Sequence, residues 1–323
     1  MIVLEPYAEE HRAAWDAFVR KSKNGTFLFY RDYLEHIDLK VRPLSLLAWD
    51  EKRRLIALLP AMLEEHCLLS HGRLTYGGFV TDQTMKLGTM DVLFDALMRF
   101  CEESAIKQVV YRPVPYIYHR LPADEDLYVL FRLNARVISR RMLAAVRCDA
   151  RVPFQERRMR GLKKAHRVGL EIQYEIDDWT EYWSLLTHVL HDTYQSQPVH
   201  SLDEMQLLKG RFPDSVKLFG VRYLGALVAG VVIYETERVA RAQYIAADET
   251  GKRLGALDLL FETLLTSIYA HKAYFDFGTS ERAGTHELNA GLIDQKEGFG
   301  ARAIAMDAYL IDVPALVTKG SSA

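Results

Sequence analysis

Two stretches decide the fold: LGTMDVLFDALM at residues 87–98 and LGALDLLFETLL at residues 254–265, in which Leu, Gly, Asp, Leu, Phe and Leu recur in register. The offset between them is 254 − 87 = 167 residues. Any two amphipathic helices can share apolar positions, so the flanking segments carry the argument. Upstream lie LSLLAWDEKRRLIALLPAML in one half and VKLFGVRYLGALVAGVVIYE in the other, each a pair of apolar runs around a tight turn, followed by LTYGGFV and RAQYIAA. Downstream, QVVYRPV and AYFDFGT read as strands. Each half is therefore expected to run strand, turn, strand, strand, loop, helix, strand, with the helices laying their apolar faces on a mixed β-sheet. The expected class is α/β (α+β layered), a tandem duplicated unit. One domain is expected at 1–150, a second at 151–315 and a flexible tail at 316–323. The junction falls where CDARVPFQERRMR leaves one sheet and enters a basic helix.

Composition narrows the function classes. A net charge of −2 over 323 residues argues against a dedicated nucleic-acid coat, DNA above all, while leaving room for a local basic face. Cys67, Cys101 and Cys148 are widely spaced and show no CxxC pattern, so neither a disulfide framework nor a metal site is indicated. Glu5, Glu9 and Glu10 stand where a signal peptide needs an apolar core, and LGALVAGVVIY is too short to span a bilayer. A cytoplasmic protein without a membrane span is expected.

Several constellations could carry chemistry. In ADETGKRLGAL, Gly251, Lys252, Arg253 and Gly255 open the repeated helix of the second half; at the position of Gly251 the first half has Thr84. Amides at a helix start, close-approach glycines and two cations suit a pyrophosphate, and a solvated helix start is the alternative. Asp276 ends the strand AYFDFGT, where α/β sheets line clefts, or it caps the Gly278 turn. Arg160, Lys163, Lys164 and Arg167 form one helical stripe, either a phosphate contact or a solvated face. Ser201 and Glu204 make a capping box, placing His200 just before a helix as a general base or as an incidental histidine. Tyr116, Tyr118 and His119 could hold a polar or sugar-like acceptor, or simply pack. In LIDQKEGFGA, Lys296 sits beside glycines that let the backbone approach a ligand. The letters DFG occur without the other loops of a protein kinase, so that reading is discarded.

With these segments assembled, the chain resembles the FemAB-like branch of the GNAT acyltransferase superfamily. The likeness rests on RGLKKAHRVGLEI, VAGVVIYE, QYIAADETGKRLGALDLLFE, YFDFG and QKEGFGA, in that order across 158–301, and more weakly on NGTFLFYRDYLEH. It implies tandem GNAT-like domains and a donor pocket in the second. It further implies that Lys296 stabilises charge during acyl transfer. Asp276 and His200 are then assigned to proton handling or acceptor orientation, Gly251, Lys252, Arg253 and Gly255 to donor phosphates, and Tyr244 joins the candidate acceptor contacts. The expected reaction moves an acyl group from acyl-CoA, acetyl-CoA foremost, to an amine of a sugar, nucleotide-sugar or peptide-like acceptor in cell-envelope biosynthesis. An aminoacyl-tRNA donor acting on a cell-wall precursor is one alternative, and a non-catalytic binding module is another. The usual pyrophosphate motif is not met: anchored on Gly255, it finds Lys252 first and Leu257 last. Gln295 stands where the Fem-type enzymes have an aromatic residue.

Overall fold

The structure is a computed structural model describing residues 1–36, 42–70, 74–282, 285 and 287–314, so the tail expected at 316–323 lies outside the described residues. The chain divides into two compact units, Met1–Arg140 with Met306–Ala323, and Arg141–Ala305.

The first unit runs β1 (Val3–Pro6), α1 (Arg12–Lys21), α2 (Arg31–Leu34), β2 (Arg42–Pro43), β3 (Leu46–Trp49), β4 (Leu55–Leu59), β5 (Met62–Glu64), β6 (Cys67–Leu69), β7 (Val80–Thr81), α3 (Leu87–Glu103), β8 (Gln108–Tyr111) and α4 (Glu125–Arg132). Strands order β1-β3-β4-β7 in one sheet, and β2-β5-β6-β8 continue to the last described strand, Arg302–Asp312. That strand joins this unit because Tyr309 to Asp312 pair with β8. The repeated helix α3 buries Leu93, Phe94 and Leu97 at helical spacing against Leu46, Leu59 and Val109 of the strands. The hairpin β5–β6, from MLEEHCLL, has no counterpart among the described strands of the second copy.

The second unit takes up β9 (Arg136–Arg147) from Arg141 onward. It continues with α5 (Glu156–Val168), β10 (Glu171–Gln173), α6 (Thr180–Tyr194), α7 (Leu202–Arg211), β11 (Val216–Tyr223), β12 (Ala226–Glu235), β13 (Val239–Ala247), α8 (Glu249–Leu254), α9 (Ala256–Thr263), β14 (Tyr274–Thr279), α10 (Ala290–Glu297) and the start of β15 (Arg302–Asp312). The order is β10-β11-β12-β13-β14-β9. Every pairing in it is antiparallel except β13 with β14. The apolar run of β12 is buried from Leu227 to Tyr234, as a strand covered on both faces should be. Phe219, Leu260, Phe261, Phe275, Phe277 and Phe299 fill the core between sheet and helices.

Mixed sheets flanked by helices in each unit match the expected class. The repeated helix of the second unit departs from expectation. It does not begin at Leu254: that residue closes the short helix α8, Gly255 turns left-handed at φ 82°, and α9 starts at Ala256. In the first copy, Gly88 lies inside an unbroken α3 with open space around it. Among the described residues, no helix is long and apolar enough to cross a membrane.

Candidate active site

The site arises where two parallel strands part. Strands β13 and β14 pair at Val239–Tyr274, Ala240–Phe275 and Arg241–Asp276, and there the ladder stops although β13 runs on to Ala247. A cavity of about 280 Å³ opens beside the released edge of β13. Ile245, Ala246 and Ala247 form one wall, Phe277 and Phe299 another, and Val189, Leu190 and Leu292 come from α6 and α10. Into this apolar wedge project Arg158, Lys252, Asp258, Gln295 and Lys296. A concave, largely apolar space with a few convergent polar groups is the usual form of a small-molecule site.

Lys296 has the most unusual surroundings. Its side chain is 4% exposed, and Nζ donates to the carbonyls of Gly278 at 3.2 Å and Thr279 at 2.5 Å. Burial lowers its pKa to about 8; Asp276 and Glu281 oppose that shift, and Arg241 and Arg141 add to it. Asp276 is wholly buried, accepting from Gly278 N at 2.7 Å and from Arg241 Nη1 at 2.7 Å.

The glycine-bearing mouth is built differently from a bare helix start. Asp248 caps α8, its Oδ1 accepting from Gly251 N at 2.6 Å. A Cβ on Gly251 would lie 2.2 Å from the Val228 carbonyl oxygen, so this residue lets α8 seat on β12. Gly255 needs its left-handed φ, and a Cβ there would meet the carbonyl oxygen of Gly161 on α5 at 2.5 Å. Lys252 lines the cavity and pairs with Glu249 at 2.8 Å, while Arg253 is exposed. Gly251, Lys252, Gly255 and Lys296 thus converge on one cavity.

The other candidates are placed elsewhere. Arg160, Lys163 and Arg167 face solvent and Lys164 is half-buried. His200 Nδ1 lies 2.6 Å from the Tyr244 hydroxyl, and the Tyr244 ring packs edge-on against Trp183. Burial drives the Tyr244 pKa up to about 12, so its proton stays on at neutral pH. The expected capping box is present, Glu204 N donating to Ser201 Oγ at 3.2 Å and Ser201 N to Glu204 Oε2 at 2.5 Å. Tyr116, Tyr118 and His119 belong to the first unit, where Tyr118 and His119 are buried and Tyr116 is half-exposed. His119 Nε2 is 2.8 Å from the Val114 carbonyl, and burial lowers its pKa, favouring the neutral ring.

Sequence reasoning missed Arg158 and Asp258. The Arg158 guanidinium sits over the Phe299 ring at 4.8 Å and donates to Asp258 Oδ1 at 3.0 Å. A signal existed: Asp258 recurs as Asp91 in the first copy, where it pairs with Arg132. At 18% and 12% side-chain exposure, the Arg158–Asp258 pair ties α5 to α9. Arg158→Ala is expected to cost about 2–3 kcal/mol by stranding a mostly buried carboxylate. Denaturant unfolding checks this, and a loss under about 0.5 kcal/mol would show that the pair does not hold the helices together.

Comparisons with known proteins bear on the family and the fold. Residues 155–286 match the family model described as Acetyltransferase (GNAT) domain. The fold is shared with FemX, at a TM-score of 0.68 and 11% identity over 95% of this chain and 97% of that one. It is also shared with the C-terminal domain of a putative lysylphosphatidylglycerol synthetase from Agrobacterium fabrum, at 0.60 and 11%, covering 94% and 92%. A tandem GNAT protein from the clavulanic acid biosynthesis pathway aligns at 0.52 and 10% over 97% and 99%. A search of curated proteins returned no match.

Proposed function

From the match of residues 155–286 to the Acetyltransferase (GNAT) domain model, we propose that the second unit transfers an acyl group from a thioester donor, acyl-CoA, to an amine acceptor. The observation that carries this reading is the apolar cavity opened by the parting of β13 and β14, with the buried Lys296 in its wall. The donor's thioester arm enters beside the released edge of β13, whose main chain is available to it once pairing with β14 has stopped. Lys252, the exposed cation on the cavity rim, meets the donor's phosphates, while Gly251 and Gly255 serve the packing of α8 on β12 and α5.

The acceptor amine attacks the thioester carbonyl, forming a C–N bond and an oxyanion. Collapse breaks the C–S bond, and the amine's proton ends on the departing thiolate or on solvent. Lys296 faces the oxyanion as an ammonium, worth most where water is excluded. Its pKa near 8 lies below the ordinary lysine value, so the charged form is present below pH 8 and lost above it. The pH profile of kcat/KM is therefore expected to fall as pH rises through about 8. Asp276 acts through the strand end that it braces.

The acceptor class follows the resemblance: an amine of a sugar, nucleotide-sugar or peptide-like envelope precursor. A thermal-shift screen of CoA thioesters tests the donor. Acetyl-CoA at 100 times its Kd should stabilise the protein by about 2.7 kcal/mol, and no shift with any thioester contradicts the reading.

One observation favours an aminoacyl-tRNA donor as the second reading. Arg160, Lys163 and Arg167 on α5 and Lys252 and Arg253 on α8, a helix packed on α5, present exposed cations, of which Lys252 lines the cavity. Transfer by that route should weaken steeply with salt and stop on ribonuclease treatment.

A further inference from the structure

Resting on the acyl-transfer reading, we infer that Arg241 and Asp276 are positioning residues for Lys296: together they fix the strand end whose carbonyls hold its ammonium. Among the described residues, Lys296 Nζ donates to two main-chain oxygens, those of Gly278 and Thr279. Both lie at the end of β14, where pairing with β9 shifts register between Asp276 and Thr279. Such an irregular strand end does not hold its own geometry, because the ladder that would fix it is interrupted. Gly278 is left-handed at φ 71°, and Asp276 clamps it by accepting its N–H at 2.7 Å. Arg241 secures Asp276 from the neighbouring strand at 2.7 Å, with side-chain exposures of 13% and 0%. The order of dependence runs Arg241, Asp276, Gly278, Lys296.

The alternative is that Asp276 is itself the proton acceptor. It is not among the residues lining the cavity, and both of its oxygens already accept hydrogen bonds. Its carboxylate is spent on the bulge, which suits a brace better than a base.

The charged groups acting on Lys296 are Asp276 from β14, Glu281 beyond it, Arg241 from β13 and Arg141 from β9. Arg158 of α5 and Asp258 of α9 share the cavity wall with it. The two braces carry opposite charge, so a positioning role has a signature that loss of packing lacks. Asp276→Asn removes an anion and should move the Lys296 titration to lower pH. Arg241→Gln removes a cation and should move it to higher pH. Each shift is expected to be about one pH unit.

The experiment is side-chain NMR of the lysine Nζ resonances in the full-length chain, with Lys296 assigned by its loss in Lys296→Arg. The high-pH limb of acyl transfer is measured alongside. The expected result is opposite displacement of the Lys296 midpoint in the two variants, matched by the activity limb, with kcat lowered at least tenfold and KM changed less. Each variant judges the proposal separately, so failure of one to fold leaves the other. An unchanged Lys296 midpoint in a folded variant overturns the positioning role. Normal titration shifts without turnover of any donor would instead overturn the acyl-transfer reading and leave the brace standing.

Discussion

Lys296→Ala is expected to lower kcat/KM by about 100-fold or more, the usual consequence of deleting a group aimed at developing charge in a site closed to water. The argument is electrostatic. The ammonium is almost fully enclosed, and its pKa is depressed to about 8, so the fold holds this charge against a desolvation penalty. A charge kept at such a cost is better placed for a transition state than for the resting protein. Donor affinity should change little, because the contact forms with the oxyanion rather than with the ground-state thioester. Steady-state kinetics with donor binding measured in parallel checks both halves. A loss under about threefold, roughly 0.7 kcal/mol, would remove Lys296 from the chemistry.

Gly255→Ala is expected to destabilise the second unit by about 3 kcal/mol. Two costs add: a left-handed φ of 82° that an alanine adopts only under strain, and a Cβ 2.5 Å from the Gly161 carbonyl oxygen. The second cost is the harder to relieve, because backbone on α5 must move, and α5 is tied to α9 by Arg158 and Asp258. Gly88→Ala at the repeat-equivalent position serves as the control. It lies within α3 with nothing within 4 Å of an added Cβ, so the helix should gain rather than lose stability. Denaturant unfolding of the two variants, read against wild type, decides the matter; equal effects would show that the two glycines play the same part.

That contrast also marks how far the sequence could be read. The duplication was legible because strand and helix periodicities repeat at one offset, and burial enforces them in both units. The capping box at Ser201 was legible because it is local chemistry. The break at Gly255 was not, since LGALDLLFETLL differs from its unbroken twin by no turn signal; the cause is the close approach of Gly161, roughly a hundred residues earlier in the chain. The basic helix was read with attention to its regular stripe, of which Arg160, Lys163 and Arg167 face solvent, whereas Arg158, two residues before the stripe begins, lines the cavity. Arg241 was hidden for a similar reason: within RAQYIAA nothing local shows that pairing with β14 ends at that residue. Strand parting is a property of the sheet, and no window of sequence contains it.

The central claim is that the space between the parted strands seats the acyl donor. Isothermal titration of acetyl-CoA into wild type and Leu292→Trp tests it most directly, because Leu292 is half-buried on the cavity wall and a larger ring there takes up the space without displacing a buried core residue. Saturable binding to wild type, weakened at least tenfold in the folded variant, is the result this account expects. Equal affinity for the two proteins would place the donor elsewhere and contradict it.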